Sequence, residues 1–306
     1  MKTNYILLLL TATLFAACND DGDDDNNDNN PPVSQDPSFS GTVTDVVNGP
    51  SSEFSADVIE VLHDTLTDRL YVNLEANDGT LISLTIATAA AGNYNFSPQT
   101  DSEAYLSQCT SVSEIVNTKP DDDDLSAETA GTVTVNSYDE DEGKLSLTIS
   151  ALSFYEVNTG VDDDVESISL TDASLTNADV VKTAVGLNYL DEPDIDCLVN
   201  GNLFDSFSVT AGNEINESIS AFGNLGQLTV VLPFNPVAGV YDLSVSPSDY
   251  RLAYNTNDQA NFTASSGTLV LTESCAGHFY GTFEGEVEIA TSTVTITQGR
   301  FAAVID

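Results

Sequence analysis

Ala130-Gly131-Thr132-Val133-Thr134-Val135 in the first half of the chain, and Ser266-Gly267-Thr268-Leu269-Val270-Leu271 in the second, decide the fold. In both, a glycine opens a run of alternating threonines and branched apolar residues, the pattern of a strand. Working outward, Leu70-Tyr71-Val72-Asn73-Leu74, Leu81-Ile82-Ser83-Leu84-Thr85-Ile86, Lys144-Leu145-Ser146-Leu147-Thr148-Ile149 and Ser167-Ile168-Ser169-Leu170 have the same character. Clusters of Gly, Asn, Asp and Pro punctuate them, as turns between antiparallel strands require. Helical periodicity is nearly absent; only residues 102–116 and 179–187 are expected to hold a short turn or two of helix.

The second half repeats the first. Ala91-Gly92-Asn93-Tyr94-Asn95-Phe96 answers to Ala238-Gly239-Val240-Tyr241-Asp242-Leu243, and the two glycine-led strands answer to each other. Residues 144–154 then answer to 280–289, and 165–175 to 293–301. Four matches in one order indicate an internal duplication. In the first copy Ala173 and Leu175 stand where the second has Gly299 and Phe301, and Gly281 has no glycine counterpart. Tyr94 and Tyr241, at equivalent positions, are expected in the cores. The expected fold is all-β, with two tandem antiparallel sandwich or barrel-like domains of roughly eight strands each. Their bounds are 38–181 and 196–306, with a linker over 182–195.

The ordered pattern Gly-x-Tyr, Ser-Gly-Thr-Leu-x-Leu-Thr, Gly-Thr-Phe, Val-Thr-Ile-Thr-x-Gly-x-Phe resembles an uncharacterised β-rich tandem domain family of Bacteroidetes-type surface lipoproteins. The resemblance is clear over 196–306 and degraded over 39–181. It implies a fold and carries no activity with it.

The N-terminal segment speaks to location. One lysine, Lys2, precedes an apolar run from Tyr5 to Ala17, about 13 residues long, which suits a signal peptide and is too short to span a bilayer. The run ends in Leu14-Phe15-Ala16-Ala17-Cys18, which resembles a bacterial lipobox; the resemblance implies removal of residues 1–17 and lipidation of Cys18. Behind the cysteine, Asn19-Asp20-Asp21-Gly22-Asp23-Asp24-Asp25 opens an acidic tether over 18–37 with nothing apolar to bury. Such a run resembles the surface-export signal of the same lipoproteins, which implies the outer membrane, facing the medium.

Composition narrows the function. The chain has 7 Lys and Arg against 49 Asp and Glu, a formal net charge of −42. Nucleic acid is excluded as a partner, because no basic cluster can displace phosphate counterions. With Cys18 lipidated, Cys109, Cys197 and Cys275 remain; Cys197 and Cys275 fall in one domain and are expected to form a disulfide, leaving Cys109 unpaired and buried. His63 and His278 have no partner at metal-site spacing, and no Gly-x-Ser-x-Gly accompanies them, so no enzyme is expected.

Two ligand classes suit what is left. Calcium, the one metal in view, is the candidate for the oxygen-rich loops holding Asp121 and Asp123, Asp139 and Asp141, and Asp162 and Asp164. Glycans need aromatic faces; Trp is 0, and Tyr189, Tyr250 and Tyr254 are the candidate contacts. Asp64-Thr65-Leu66 resembles the short O-glycosylation motif of this bacterial group. The expected protein is a lipid-anchored binding or structural module without catalysis. The alternatives are a calcium- or glycan-binding accessory of a nutrient-uptake system and, last, an unrecognised hydrolase. Three arrangements separate them: a concave cluster of Tyr and carboxylates for glycans, converging Asp side chains for calcium, and a buried His–carboxylate pair in a pocket for the hydrolase.

Overall fold

A computed structural model describes residues 36–304 apart from 46–48, 109–113, 119–129, 157–164, 188, 190–192, 205, 214–216, 234–235, 245–248, 257–261, 276–277 and 290–291. Every regular element among the described residues is a strand. The first half supplies β1 (Ser38–Asp45), β2 (Ser51–Ser55), β3 (Val58–Asp64), β4 (Arg69–Glu75), β5 (Leu81–Ile86), β6 (Gly92–Phe96), β7 (Glu103–Gln108), β8 (Glu114–Asn117), β9 (Gly131–Asp139), β10 (Lys144–Glu156) and β11 (Val165–Thr183). The second supplies β12 (Asp194–Val199), β13 (Asn202–Leu203), β14 (Ser206–Asn213), β15 (Glu217–Gly223), β16 (Gly226–Leu232), β17 (Gly239–Asp242), β18 (Arg251–Asn255), β19 (Phe262–Cys275), β20 (His278–Ile289) and β21 (Ser292–Val304). The fold is all-β, as the alternation implies. Among the described residues of 102–116 and 179–187 there is no helical turn: Ala104 and Leu106 alternate inward along β7, and Val180–Thr183 prolongs β11.

The first sheet curls into a barrel. Along one edge β11 pairs antiparallel with β1 and then, at Val180–Thr183, in parallel with β3; along the other it pairs with β10. β10 returns through Tyr155–Asn117 to β8, and β8, β7, β5, β4 and β3 complete the ring. The second sheet runs β13-β12-β21-β20-β19-β18-β16-β15-β14 and curls in the same sense, with β17 added beside β19. Each curl encloses its own apolar core.

The duplication is visible in the registers. Phe39 faces Leu175 as Ile195 faces Phe301, and both ladders slip at the next pair but one, around Asp172 and Gln298, which share a left-handed φ of 51° and 53°. Gly131 and Gly267 open β9 and the matching part of β19. A Cβ there would sit 2.0 Å from the Ala151 carbonyl oxygen in one copy and 2.1 Å from that of Glu284 in the other, so both backbones approach their neighbours as only glycine allows. Tyr94 donates its hydroxyl to the Ala90 carbonyl four residues back, as Tyr241 does to Val237. These tyrosines are half-buried at the edges of the cores rather than within them, because β6 and β17 are edge strands.

The copies differ in how β20 and β21, and their counterparts, fill the core. In the second copy Phe283 lies opposite Gly299 and Phe301 opposite Gly281. A Cβ on Gly299 would come within 2.3 Å of the Phe283 ring, so each phenylalanine occupies the space its cross-strand glycine leaves. In the first copy the same places pair Ile149 with Ala173 and Leu147 with Leu175. Bulk is redistributed across the pair in both.

Cys197 takes the position of Gly41 and is a free, fully buried thiol, so the expected bridge to Cys275 is not made. In the strand order β12-β21-β20-β19 two strands stand between them, whereas a disulfide needs Cα atoms within about 7 Å. Burial, with Asp196 adding to it, pushes the thiol's pKa well above its usual value. Cys109 lies outside the described residues.

Gly299→Ala should destabilise the protein by about 1–3 kcal/mol through overpacking against Phe283, read as a lower urea midpoint; an unchanged midpoint would show that the ring can yield. Cys197 should react with a thiol reagent only at the rate of unfolding.

Candidate functional site

Strands β4 and β5 are buried on both faces, and the outward faces make the site. Leu70, Val72, Leu74, Ile82, Leu84 and Ile86 fill the first core; Tyr71, Asn73, Leu81, Ser83 and Thr85 point the other way and are buried too. The register sets Glu60, Asn73, Ser83 and Tyr105 in one row across β3, β4, β5 and β7. Asn73 Nδ2 donates to Glu60 Oε2 at 3.2 Å, and Ser83 Oγ donates to Asn73 Oδ1.

The segment expected to be a linker lies against this row. Val185, Leu187 and Tyr189 are buried. Asn73 Nδ2 donates to the Leu187 carbonyl at 3.3 Å, and the Tyr189 amide donates to Ser83 Oγ at 3.1 Å. Gly186 packs on the Tyr71 ring, where a Cβ would come within 2.2 Å. Gln298 Oε1, from the bulge of β21, accepts from Thr183 Oγ1 at 3.1 Å and the Ala184 amide at 2.9 Å.

The outward face of β19–β21 closes over it. Arg300 Nη1 donates to Glu60 Oε1 and to the Tyr189 hydroxyl, both at 2.9 Å, with the Arg300 side chain 12% exposed and that of Glu60 29%. Tyr280 donates to Glu75 Oε2 and stacks on Tyr189, ring centroids 4.2 Å apart. Leu81, Leu187, Tyr189, Tyr280 and Ala302 form a small core of their own there. A charge-assisted pair so desolvated holds only because every partner is supplied: removing one leaves the other buried and unpaired.

Two adjoining clefts open along this junction. One, about 280 Å³, is lined by Glu60, Asn73, Glu75, Tyr189, Tyr280 and Thr282 among others. The second, about 380 Å³, lies on the far side of Arg300, and Val270 and Thr282 border both. Burial first, and then the carboxylates of Glu75 and Glu60, push the Tyr280 and Tyr189 hydroxyls well above the ordinary tyrosine range. Burial raises Tyr71 to about 12. All three are held in the neutral form.

The candidates from sequence fare unequally. Tyr189 lines the first cleft, although its ring is 5% exposed and stacked rather than free. Tyr254 is no open face either: with Leu252 it alternates inward along β18, and it donates to the Leu225 carbonyl. Tyr250 is half-buried and stacks on Tyr241, centroids 3.5 Å apart, away from the clefts. Asp139 turns inward on its own hairpin, accepting from the Asp141 and Glu142 amides at 2.9 Å. Among the described residues no three acidic, His or Cys side chains converge on a metal position. Cys18, Asp121, Asp123, Asp162 and Asp164 lie outside the described residues.

His63 is buried, with Nε2 3.2 Å from Asp68 Oδ1 and Nδ1 2.8 Å from the Tyr138 hydroxyl. It lines neither junction cleft, and Asp68 is 64% exposed, so the group closes one end of the first barrel. Thr65 is exposed and donates to the Thr183 carbonyl at 3.0 Å. Glu60, Asn73, Glu75, Tyr280 and Arg300 were not singled out from sequence. Their signal was the polar set on strands whose other face is continuously apolar. Comparison with family models, curated proteins and solved structures returns no match for the chain.

Because the folded-state pKa values of Tyr71, Tyr189 and Tyr280 lie above the ordinary 10.0, the unfolded chain loses these protons first as pH rises. Their contribution is therefore complete below pH 10.0 and is lost above it. Thermal midpoints should fall steeply on that alkaline side, with phenolate absorbance from these residues appearing only on unfolding. A midpoint flat through that range would contradict the assignment.

Proposed function

We propose that the chain is a lipid-anchored, outward-facing protein of the outer membrane that binds a small carbohydrate, without catalysis, in the cleft between its two halves. The observation that carries the reading is the concave grouping of Tyr189 and Tyr280 with Glu60, Glu75, Asn73 and Thr282. Carbohydrate sites set apolar ring surface beside carboxylates, amides and hydroxyls, and the mutually stacked Tyr189 and Tyr280 line this wall beside such groups. The lipobox cysteine, Cys18, and the acidic run behind it support the address. The kinship with β-rich lipoproteins of this type is part of the same proposal. The acidic exterior keeps such a protein apart from its neighbours and from nucleic acid.

The test is a panel of neutral mono- and oligosaccharides on the full chain, read by thermal unfolding. A sugar at 100 times its dissociation constant should add about 2.7 kcal/mol, a rise of a few degrees. Val270→Trp, which fills the border of both clefts, should abolish the rise. Absence of a shift with every sugar, or a shift that survives Val270→Trp, rules the reading out.

A further inference from the structure

Two cations of a chain that has only 7 against 49 acids, Lys182 and Arg300, border the larger cleft. Lys182 is tied to Glu140 at 2.9 Å, but Arg300 is only half used. A guanidinium carries five N–H donors. Both donors of Nη1 go to Glu60 and Tyr189, and among the described residues nothing bonds to Nε or Nη2. That remaining edge, two parallel donors in a fixed plane, matches a carboxylate in bidentate fashion.

Much of the lining has the same polarity, with Asp196, the cross-strand neighbour of Arg300 on β12, the acid beside it. Gln298 has its amide oxygen committed to Thr183 and Ala184, so its NH2 is the end left to donate. Thr268 and Thr282 add hydroxyls, and the one carboxylate on the lining, Glu284, is exposed. Thr282 is the cross-strand neighbour of Arg300 and borders both clefts, so a ring seated against Tyr280 can extend a substituent past Thr282 to Arg300.

We propose that this second cleft takes a carboxylate, and hence that the ligand is an acidic sugar with a single carboxylate, its ring in the first cleft and its anion on Arg300. The proposal rests on the carbohydrate reading of the first cleft. Glu60 already balances the charge of Arg300, so recognition comes from oriented hydrogen bonds rather than from net positive potential. A polyanion is disfavoured by the surrounding field, whereas one carboxylate buried at short range is not.

Calorimetry on the full chain with glucuronate, glucose and acetate separates the possibilities. Glucuronate should bind at least about tenfold more tightly than glucose, with acetate weaker than both. Arg300→Lys keeps a cation for Glu60 but loses the fork, and should bring glucuronate down to the level of glucose. Should that variant fail to fold, Thr268→Glu places a repelling carboxylate at the cleft without touching the junction and should do the same. Glucose binding with no preference for glucuronate, or a preference unaltered by these variants, overturns the carboxylate site alone. Acetate binding as well as glucuronate overturns the acidic-sugar assignment in favour of a carboxylate from any source. Failure of all sugars overturns both readings.

Discussion

The reciprocal fit of Phe283 over Gly299 and Phe301 over Gly281 is the constraint on which the second half of the molecule depends. The two rings are set diagonally on antiparallel strands, each taking the space above its partner's glycine. The consequence reaches beyond the core. With 281, 283, 299 and 301 committed inward, the residues between them on β20 and β21, Thr282 and Arg300, face outward on neighbouring strands. A packing solution inside the second sheet's curl thus fixes the position of Arg300 at the junction.

That junction sets a polar network beside a small apolar core. Burying Glu60 and Arg300 together costs desolvation that their attraction barely recovers. What the pair supplies is register. Glu60 is held by Asn73 and Arg300, and Tyr189 by Ser83, Tyr280 and Arg300, so a slide of either sheet would strand several buried polar groups at once. The clefts remain open for the same reason, since a network that needs fixed distances prevents the faces from collapsing onto each other.

Strand alternation and the duplication were legible in the sequence because both are local: period two along 131–135 or 81–86, and ordered Gly-x-Tyr and Gly-x-Phe motifs. The clefts were not, because they arise where two separately legible sheets meet. Tyr189 was read as open, yet Val185, Leu187 and Tyr189 alternate inward as a strand would, and this pattern within a supposed linker was the available sign of burial. The expected pairing of Cys197 with Cys275 rests on a shared domain and neighbouring strands, while strand order, which determines the distance, has no local signature. The helical turns expected near 102–116 failed for a related reason: Ala104 and Leu106 are too few to distinguish period two from the helical period.

The contact between the copies joins unlike faces: β3–β5 of the first with β19–β21 of the second. A head-to-tail contact of this kind leaves one complementary face unused at each end and would grow into a filament if the faces were identical in both copies. The duplication has been edited to stop this. Where the second copy has Arg300 the first has Ser174, and the outward row of Glu60, Asn73 and Ser83 has no equivalent on β15 and β16, which present Ser218, Ser220 and Thr229. The cores of the two copies have kept their register while the outer faces have diverged, so the polar junction forms once. With 49 acidic residues against 7 basic ones, charge repulsion opposes any second contact between chains. A single junction of that kind is bordered by two of the chain's few cations, Lys182 and Arg300.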